Sequence, residues 1–276
     1  MANLHRIQYS PRCSQLSPRL AKIACAGMVV AALSGSAYAY RPFDGTDAAV
    51  AKVGDVELEY APADFLRDRS FSTIIAPFTI LNFGVAENWE AVFSGQVNYP
   101  QIPADELYSV TGVSAFLKYV VRPGVLQDKP GPSVAIEFGP LLPGFRGDQS
   151  YGADLGIIVS QRWDWGTINW NEQTQYTRDR HLDAFVSAII EGPDKWKIRP
   201  VAEFFYEEEI GVARQVSALV GAIWQVTEDL SFDFAVRHAI VNEIGARGWH
   251  PVDEIRGGFT VGFPMSFFTS KRGTRS

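Results

Sequence analysis

The chain has 276 residues, of which 46% are hydrophobic, 13% aromatic and 20% charged, with 24 Gly, two Cys and a formal net charge of −6. This composition excludes a disordered chain, a collagen-like chain and a disulfide-stapled scaffold. No run of about 18 apolar residues occurs, so a bundle of transmembrane helices is excluded too, leaving a soluble fold or an outer-membrane β-barrel.

Residues 1–22 carry Arg6, Arg12, Arg19 and Lys22 and no acid. An apolar stretch from Ile23 to Leu33 follows, then Ser34-Gly35-Ser36-Ala37-Tyr38-Ala39. A basic start, a short apolar segment and a small-x-small site are the three parts of a secretory signal, which predicts cleavage after Ala39. The apolar part is too short to serve as a membrane anchor. Loss of four bases and no acid takes the net charge from −6 to −10, and Cys13 and Cys25 leave with the signal. A cysteine-free exported chain suits an oxidising compartment. Its acidity argues against nucleic acid, which needs a basic footprint.

From Asp55 onward the pattern has a period of two. Val56, Leu58 and Tyr60 alternate with Glu57 and Glu59; Trp89, Ala91, Phe93, Gly95, Val97 and Tyr99 alternate with Glu90, Ser94, Gln96 and Asn98. The same rhythm recurs in twelve segments, near 54–64, 73–85, 89–99, 110–121, 133–140, 154–163, 167–177, 182–191, 197–207, 215–226, 230–240 and 254–264. Turn-forming residues such as Ala86-Glu87-Asn88, Asp164-Trp165-Gly166 and Gly192-Pro193-Asp194 separate them. With no helical stretch and no composition break, residues 40–276 read as one all-β domain.

Alternation alone does not say which stripe faces inward, because a soluble sandwich and a membrane barrel use it with opposite sense. Three features favour the barrel. Short turns lie on one side and longer loops, Pro100–Tyr108, Gly139–Ala153 and Val241–Asp253, on the other; Arg122–Pro132 is the exception on the short side. That asymmetry places both termini in the periplasm. Aromatics sit at strand ends (Tyr60, Trp89, Tyr99, Trp163, Trp165, Tyr176, Trp196, Trp224), where barrels carry girdles at the two water interfaces. The last strand, Gly258-Phe259-Thr260-Val261-Gly262-Phe263, ends on alternating aromatics, similar to the terminal signal read by the barrel assembly machinery. A basic tail, 270–276, follows it.

The stretch Arg41-Pro42-Phe43-Asp44-Gly45-Thr46-Asp47-Ala48-Ala49-Val50-Ala51, then Gly54-Asp55-Val56-Glu57-Leu58-Glu59-Tyr60, resembles the outer-membrane family named for the meta-pathway of phenol degradation. So do Ala76-Pro77, Asn82-Phe83-Gly84-Val85 and Asn88-Trp89-Glu90-Ala91. The resemblance runs from about Arg41 to Phe263 and is most specific at its start. It implies an outer-membrane barrel of transporter type, associated with catabolism of aromatic compounds, and supplies neither a substrate nor a site.

With the apolar stripe toward lipid, the opposite stripe lines a lumen. It carries Glu57, Glu59, Glu90, Lys118, Glu137, Arg162, Glu203, Glu207, Asp233, Arg237, Glu254 and Arg256, eight acids and four bases. Confined charges must pair or stay hydrated. They are expected either to form ladders bracing the wall or to leave an acidic excess that favours cations or neutral solutes. Phe116, Phe185, Ile189, Val201 and Phe205 share that face, and a barrel of about a dozen strands is narrow. Glu172 falls on the lipid side, which predicts a bulge or a register shift there.

An enzyme finds little support. Serine chemistry needs a histidine within reach of a nucleophile. His181, His238 and His250 are the only histidines after the signal, with no Ser two residues from any of them. His181 and His250 read as loop residues, and Glu207-Glu208-Glu209 as an acidic loop. Cysteine ligands and paired histidines are lacking, and no Gly-rich loop has a phosphate-binding context, so neither metal nor cofactor is expected.

The expectation is therefore a single twelve-stranded antiparallel outer-membrane barrel in a Gram-negative bacterium, in contact with lipid and lipopolysaccharide. Its predicted work is passive uptake of small solutes, aromatic or hydrophobic ones included, with the 5–6 and 11–12 loops as lids. The alternatives are a structural or lipid-interacting barrel with a plugged lumen, a hydrolase using His181 at the lumen mouth, and a soluble periplasmic sandwich.

Overall fold

The computed structural model describes residues 41–69, 71–101, 107–147, 149–245 and 248–266. The expected export signal, residues 1–39, and the basic tail lie outside the described residues.

Twelve strands follow in order. The first, β1, is formed of two segments, Asp55–Ala61 and Asp64–Asp68, with Pro62 and Ala63 interrupting its ladder. The others are β2 (Phe71–Ala86), β3 (Trp89–Pro100), β4 (Ser109–Arg122), β5 (Ser133–Leu141) and β6 (Gly152–Trp163). They continue with β7 (Gly166–Tyr176), β8 (Leu182–Glu191), β9 (Ile198–Glu209), β10 (Ala213–Gln225), β11 (Leu230–Glu243) and β12 (His250–Pro264). Each pairs antiparallel with its neighbour in sequence. Both segments of β1 pair with β2 on one side and β12 on the other, so the sheet closes on itself and has no free edge. Closure leaves no row of unpaired edge groups, the condition for a sheet to stand in hydrocarbon.

Burial follows the two-residue period. Phe204, Tyr206, Val216, Val220, Phe234 and Val236 stand exposed on the outer wall, while Val201, Glu203, Phe205, Leu219, Ile223 and Ala235 are buried behind them. The outer surface is thus apolar and the interior mixed, the barrel sense of the alternation. At the end carrying the short turns, Trp89 stacks on Tyr119 with ring centroids 4.4 Å apart, and Trp163 on Trp165 at 5.4 Å. At the opposite end, Tyr99, Tyr108 and Phe145 form a tilted row. These two bands sit where amphipathic rings meet water.

Several local expectations are corrected. The β6–β7 ladder runs without a shift from Ala153↔Tyr176 to Trp163↔Gly166, so Glu172 sits on a regular strand facing outward. Its carboxylate accepts a hydrogen bond from Trp170 Nε1 at 3.1 Å, which gives the exposed charge a local partner instead of a bulge. Glu207, Glu208 and Glu209 form no loop; they end β9, paired with Gln215, Arg214 and Ala213 of β10. Alternation sends Glu208 outward to Arg214 Nε at 2.9 Å and Glu207 inward to Gln215. His250 is buried at the start of β12, between Asp68 (3.1 Å) and Arg69 (2.8 Å). The long connection 123–132 contains a 3₁₀ turn, Val125–Gln127, whose Leu126 packs on Ala48, Ala135 and Ile158. The 5–6 loop, expected as a lid, begins as part of the wall. Its first residues extend the wall, since Leu142 N–H donates to Val113 O and Phe145 exchanges two backbone bonds with Val110.

Candidate functional site: a lumen closed by the N-terminal segment

Residues 41–54 form no strand and run inside the barrel. The stem is tied by backbone, with Gly54 N–H donating to Gly84 O at 2.9 Å. Above it, the hydrogen bonds that seat the segment run through wall side chains. Ala51 N–H donates to Glu90 in a short contact. Ala48 N–H donates to Ser160 Oγ (2.9 Å), and its carbonyl accepts from Gln127 Nε2 (2.9 Å). Thr46 N–H donates to Asn171 Oδ1 (3.0 Å), and Thr46 Oγ1 accepts from Lys118 Nζ (3.2 Å). Glu203 receives two successive amides, Asp44 N–H and Gly45 N–H, each at 2.8 Å. A Pro- and Gly-containing stretch that makes no ladder would otherwise carry unsatisfied amides into the interior, a costly arrangement. The wall supplies the partners that a neighbouring strand would.

Charge matches charge along the same path. Asp44 Oδ1 lies 2.8 Å from Arg256 and 3.8 Å from Arg237, and Arg256 also donates to Pro42 O at 2.7 Å. Burial pushes the Asp44 carboxyl up, but the Arg256 and Arg237 guanidiniums outweigh it and hold the group below its ordinary value. Glu254 binds both arginines from the other side, at 2.6 and 2.9 Å. Lys118 Nζ, fully buried, stands 3.9 Å from Asp47. Arg41 donates its backbone N–H to Glu59 (3.1 Å) and its guanidinium lies beside Asp64 (3.4 Å) and Asp233 (3.5 Å).

Of the twelve side chains expected on the inner stripe, Glu59, Glu90, Lys118, Glu203, Asp233, Arg237 and Arg256 touch the inserted segment, and Glu254 braces two of them. Glu137 lies across from Lys118 in the ladder and lines a cavity. Glu57 is buried on β1, Glu207 bonds Gln215 nearer the long-loop end, and Arg162 pairs with Asp194 at 2.7 Å near the short turns. The inward charges therefore serve mainly to hold a chain segment, rather than pairing only among themselves. Sequence reasoning missed the segment's own Arg41, Asp44 and Asp47, and the wall residues Asp64, Phe78, Ser160 and Asn171. The available signal was the aperiodic stretch 41–54 itself, charged yet holding three Ala, two Gly and one Pro, just before a regular barrel.

A cavity of about 310 Å³ remains beside the segment, against β1 to β5. Residues 41–46 bound one side of it. Ile75, Phe78, Ile80, Val92 and Phe116 give it an apolar wall, with Glu137, Gln96 and Ser114 among its polar groups. It can hold a small molecule with one apolar face and one charged or polar end. Among the described residues no group of three His, Asp or Glu has metal-site geometry. His181 Nδ1 meets Glu209 at 3.1 Å, and the Thr177 hydroxyl donates to that same carboxylate oxygen (3.1 Å), so this trio is not the hydroxyl–imidazole–carboxylate chain of an activated nucleophile.

No family model matches the chain, and no curated protein matches it in sequence. Among solved structures it is similar to the COG4313 outer membrane channel from Pseudomonas putida F1, with 8% identity and a TM-score of 0.56 over 80% of this chain and 100% of that one. It is also similar to the KdgM porin, with 11% identity and a TM-score of 0.50 over 75% and 99% of the two chains. At such identities the likeness is one of fold, and the fold it shares is the outer-membrane barrel.

Proposed function

We propose that this protein is an outer-membrane channel for small solutes, exported by its first 39 residues, whose lumen is closed by residues 41–54 and opens when they leave their seat. The observation that carries this reading is the manner of seating. Wall side chains hold the segment from Arg41 to Ala51, and the backbone tie lies below, at Gly54, so withdrawal breaks no sheet ladder. The inward residues named above then line the path, with an acidic excess that favours cations and neutral molecules. The apolar wall of the cavity suits solutes with an aromatic or aliphatic face, consistent with the resemblance to the phenol-pathway family. Orientation follows the loop asymmetry, with the termini in the periplasm and the long loops toward lipopolysaccharide. Chemistry at His181 is not part of this reading.

A permanently plugged structural barrel is the competing reading, favoured by how many bonds seat the segment. Planar-bilayer recording separates the two. The refolded chain is expected to show rare openings and a variant lacking residues 41–50 a steady, larger conductance. A deletion variant that folds yet stays silent at every voltage defeats the channel reading.

A further inference from the structure

We propose that the chamber beside the plug recognises small organic cations carrying an apolar group, and that Arg41 is a tethered occupant of their site. The inference rests on the channel reading above and names its solute class.

Arg41 is 4% exposed and enclosed by three wall carboxylates and a ring. Asp64 and Asp233 flank its guanidinium, Glu59 takes its backbone N–H, and the Phe78 ring centroid lies 5.3 Å from the guanidinium carbon. Carboxylates together with an aromatic face are the combination that binds ammonium and guanidinium groups. Gly258 lies against the cage: a Cβ there would stand 2.5 Å from Tyr60 O and 2.6 Å from Arg41 Nε.

Arg41 does not saturate this cage. Asp233 is 7% exposed, yet its contact with Arg41 Nε is long, at 3.5 Å, and too poorly aligned to satisfy either group well. Three acids surround one base. Arg256, which also acts on Asp64 and Asp233, is committed to Asp44 and Glu254 at 2.8 and 2.9 Å. A buried carboxylate aimed at a poorly satisfied partner favours any cation that reaches it with better geometry. The cavity adjoins this cage directly, since Arg41, Glu59, Asp64 and Phe78 line it together with Ile80 and Phe116. A solute with a cationic head and an apolar body can place its head in the cage and its body along that wall. Doing so displaces Arg41, the first described anchor of the plug in chain order, and loosens the segment that follows it. Recognition and opening are thereby one exchange of cations.

The test is calorimetric titration of the refolded exported chain in micelles with benzylammonium, benzyl alcohol and benzoate, which share one ring and differ in charge. Benzylammonium is expected to bind the unaltered chain weakly, because a tethered competitor acts at an effective concentration on the order of millimolar. Arg41→Ala is expected to tighten benzylammonium about tenfold by removing that competitor. Adding Asp233→Asn to this variant should abolish the gain. Arg41→Gln, which keeps the length and drops the charge, gives the same reading if the alanine variant misfolds. Unchanged benzylammonium affinity in the Arg41 variants, or benzyl alcohol or benzoate binding as well as the amine, overturns the proposal. The deletion of residues 41–50 separates the two readings. If it conducts while the amine fails to bind, the cation site falls and the channel stands; if it is silent while the amine binds, the reverse holds.

Discussion

Glu203 shows how much of the closed state rests on single side chains. Fully buried on β9, it accepts two consecutive backbone amides of the plug at 2.8 Å. A lost partner leaves a buried donor unsatisfied. Glu203→Gln keeps the volume but puts an N–H₂ group against an amide, which is expected to cost the closed state about 2 kcal/mol. That corresponds to a roughly thirtyfold rise in the ratio of open to closed channels, read as open probability in single-channel records. Asp44 supplies the pH dependence. Its carboxyl is held below the ordinary value of 3.8 in the seated plug, so its contribution to closure is fully present above that value. The contribution is lost as pH falls through the depressed value, which follows from linkage. The Asp44 part of closure should therefore resist mild acid and vanish only below pH 3.8. Asp44→Asn should open the channel already at neutral pH. Conductance of the two proteins from pH 7 downward should converge in strong acid, and a gap that stays constant contradicts the assignment.

At the scale of elements, the strands were legible because alternation is local information: each inward residue is specified by its neighbours two positions away. Where a strand carried an odd residue, the local rule misled. Glu172 suggested a broken register, yet the ladder stays regular because Trp170 lends it a hydrogen bond on the outer face. Glu207 to Glu209 suggested a solvated loop, yet alternation simply sends one acid inward and the next outward to Arg214. Close approach between elements was not legible either. Gly84 on β2 leaves room for the plug stem: a Cβ there would stand 2.0 Å from Lys52 O and 2.6 Å from Ala51 O, both backbone atoms. Gly84→Ala must therefore move the stem, and overpacking of this kind costs about 2 kcal/mol. The expected outcome is a leaky but folded barrel, seen as faster swelling of proteoliposomes with unaltered heat-modifiable migration in gels. Swelling equal to the parent protein would show that the stem yields without loosening the plug.

For the whole molecule, removing the plug changes the charge that a passing solute meets. Arg41, Asp44 and Asp47 leave with it, and the walls around the vacated space retain Glu59, Asp64, Glu90, Glu137, Glu203, Asp233 and Glu254 against Lys118, Arg237 and Arg256. Acids in a confined pore attract cations. The variant without residues 41–50 should be cation-selective in reversal-potential measurements across a salt gradient. Replacing Glu137 and Glu254 by Gln should move the reversal potential toward zero. Anion selectivity in the parent deletion would contradict the assignment of these residues to the conducting path.

The number of strands and their boundaries to within a few residues were determined by sequence alone, since both depend on a period of two and on turn residues close by. Tertiary structure alone decided what those charges hold. The plug has no period, and its partners lie far along the chain: Asp44 meets Glu203 across 159 residues and Pro42 meets Arg256 across 214. Such pairings exist only once the sheet has closed and brought β9 and β12 around the same lumen. The stretch 41–54, which by sequence is only an irregular lead-in to the first strand, thereby becomes a part seated inside the barrel.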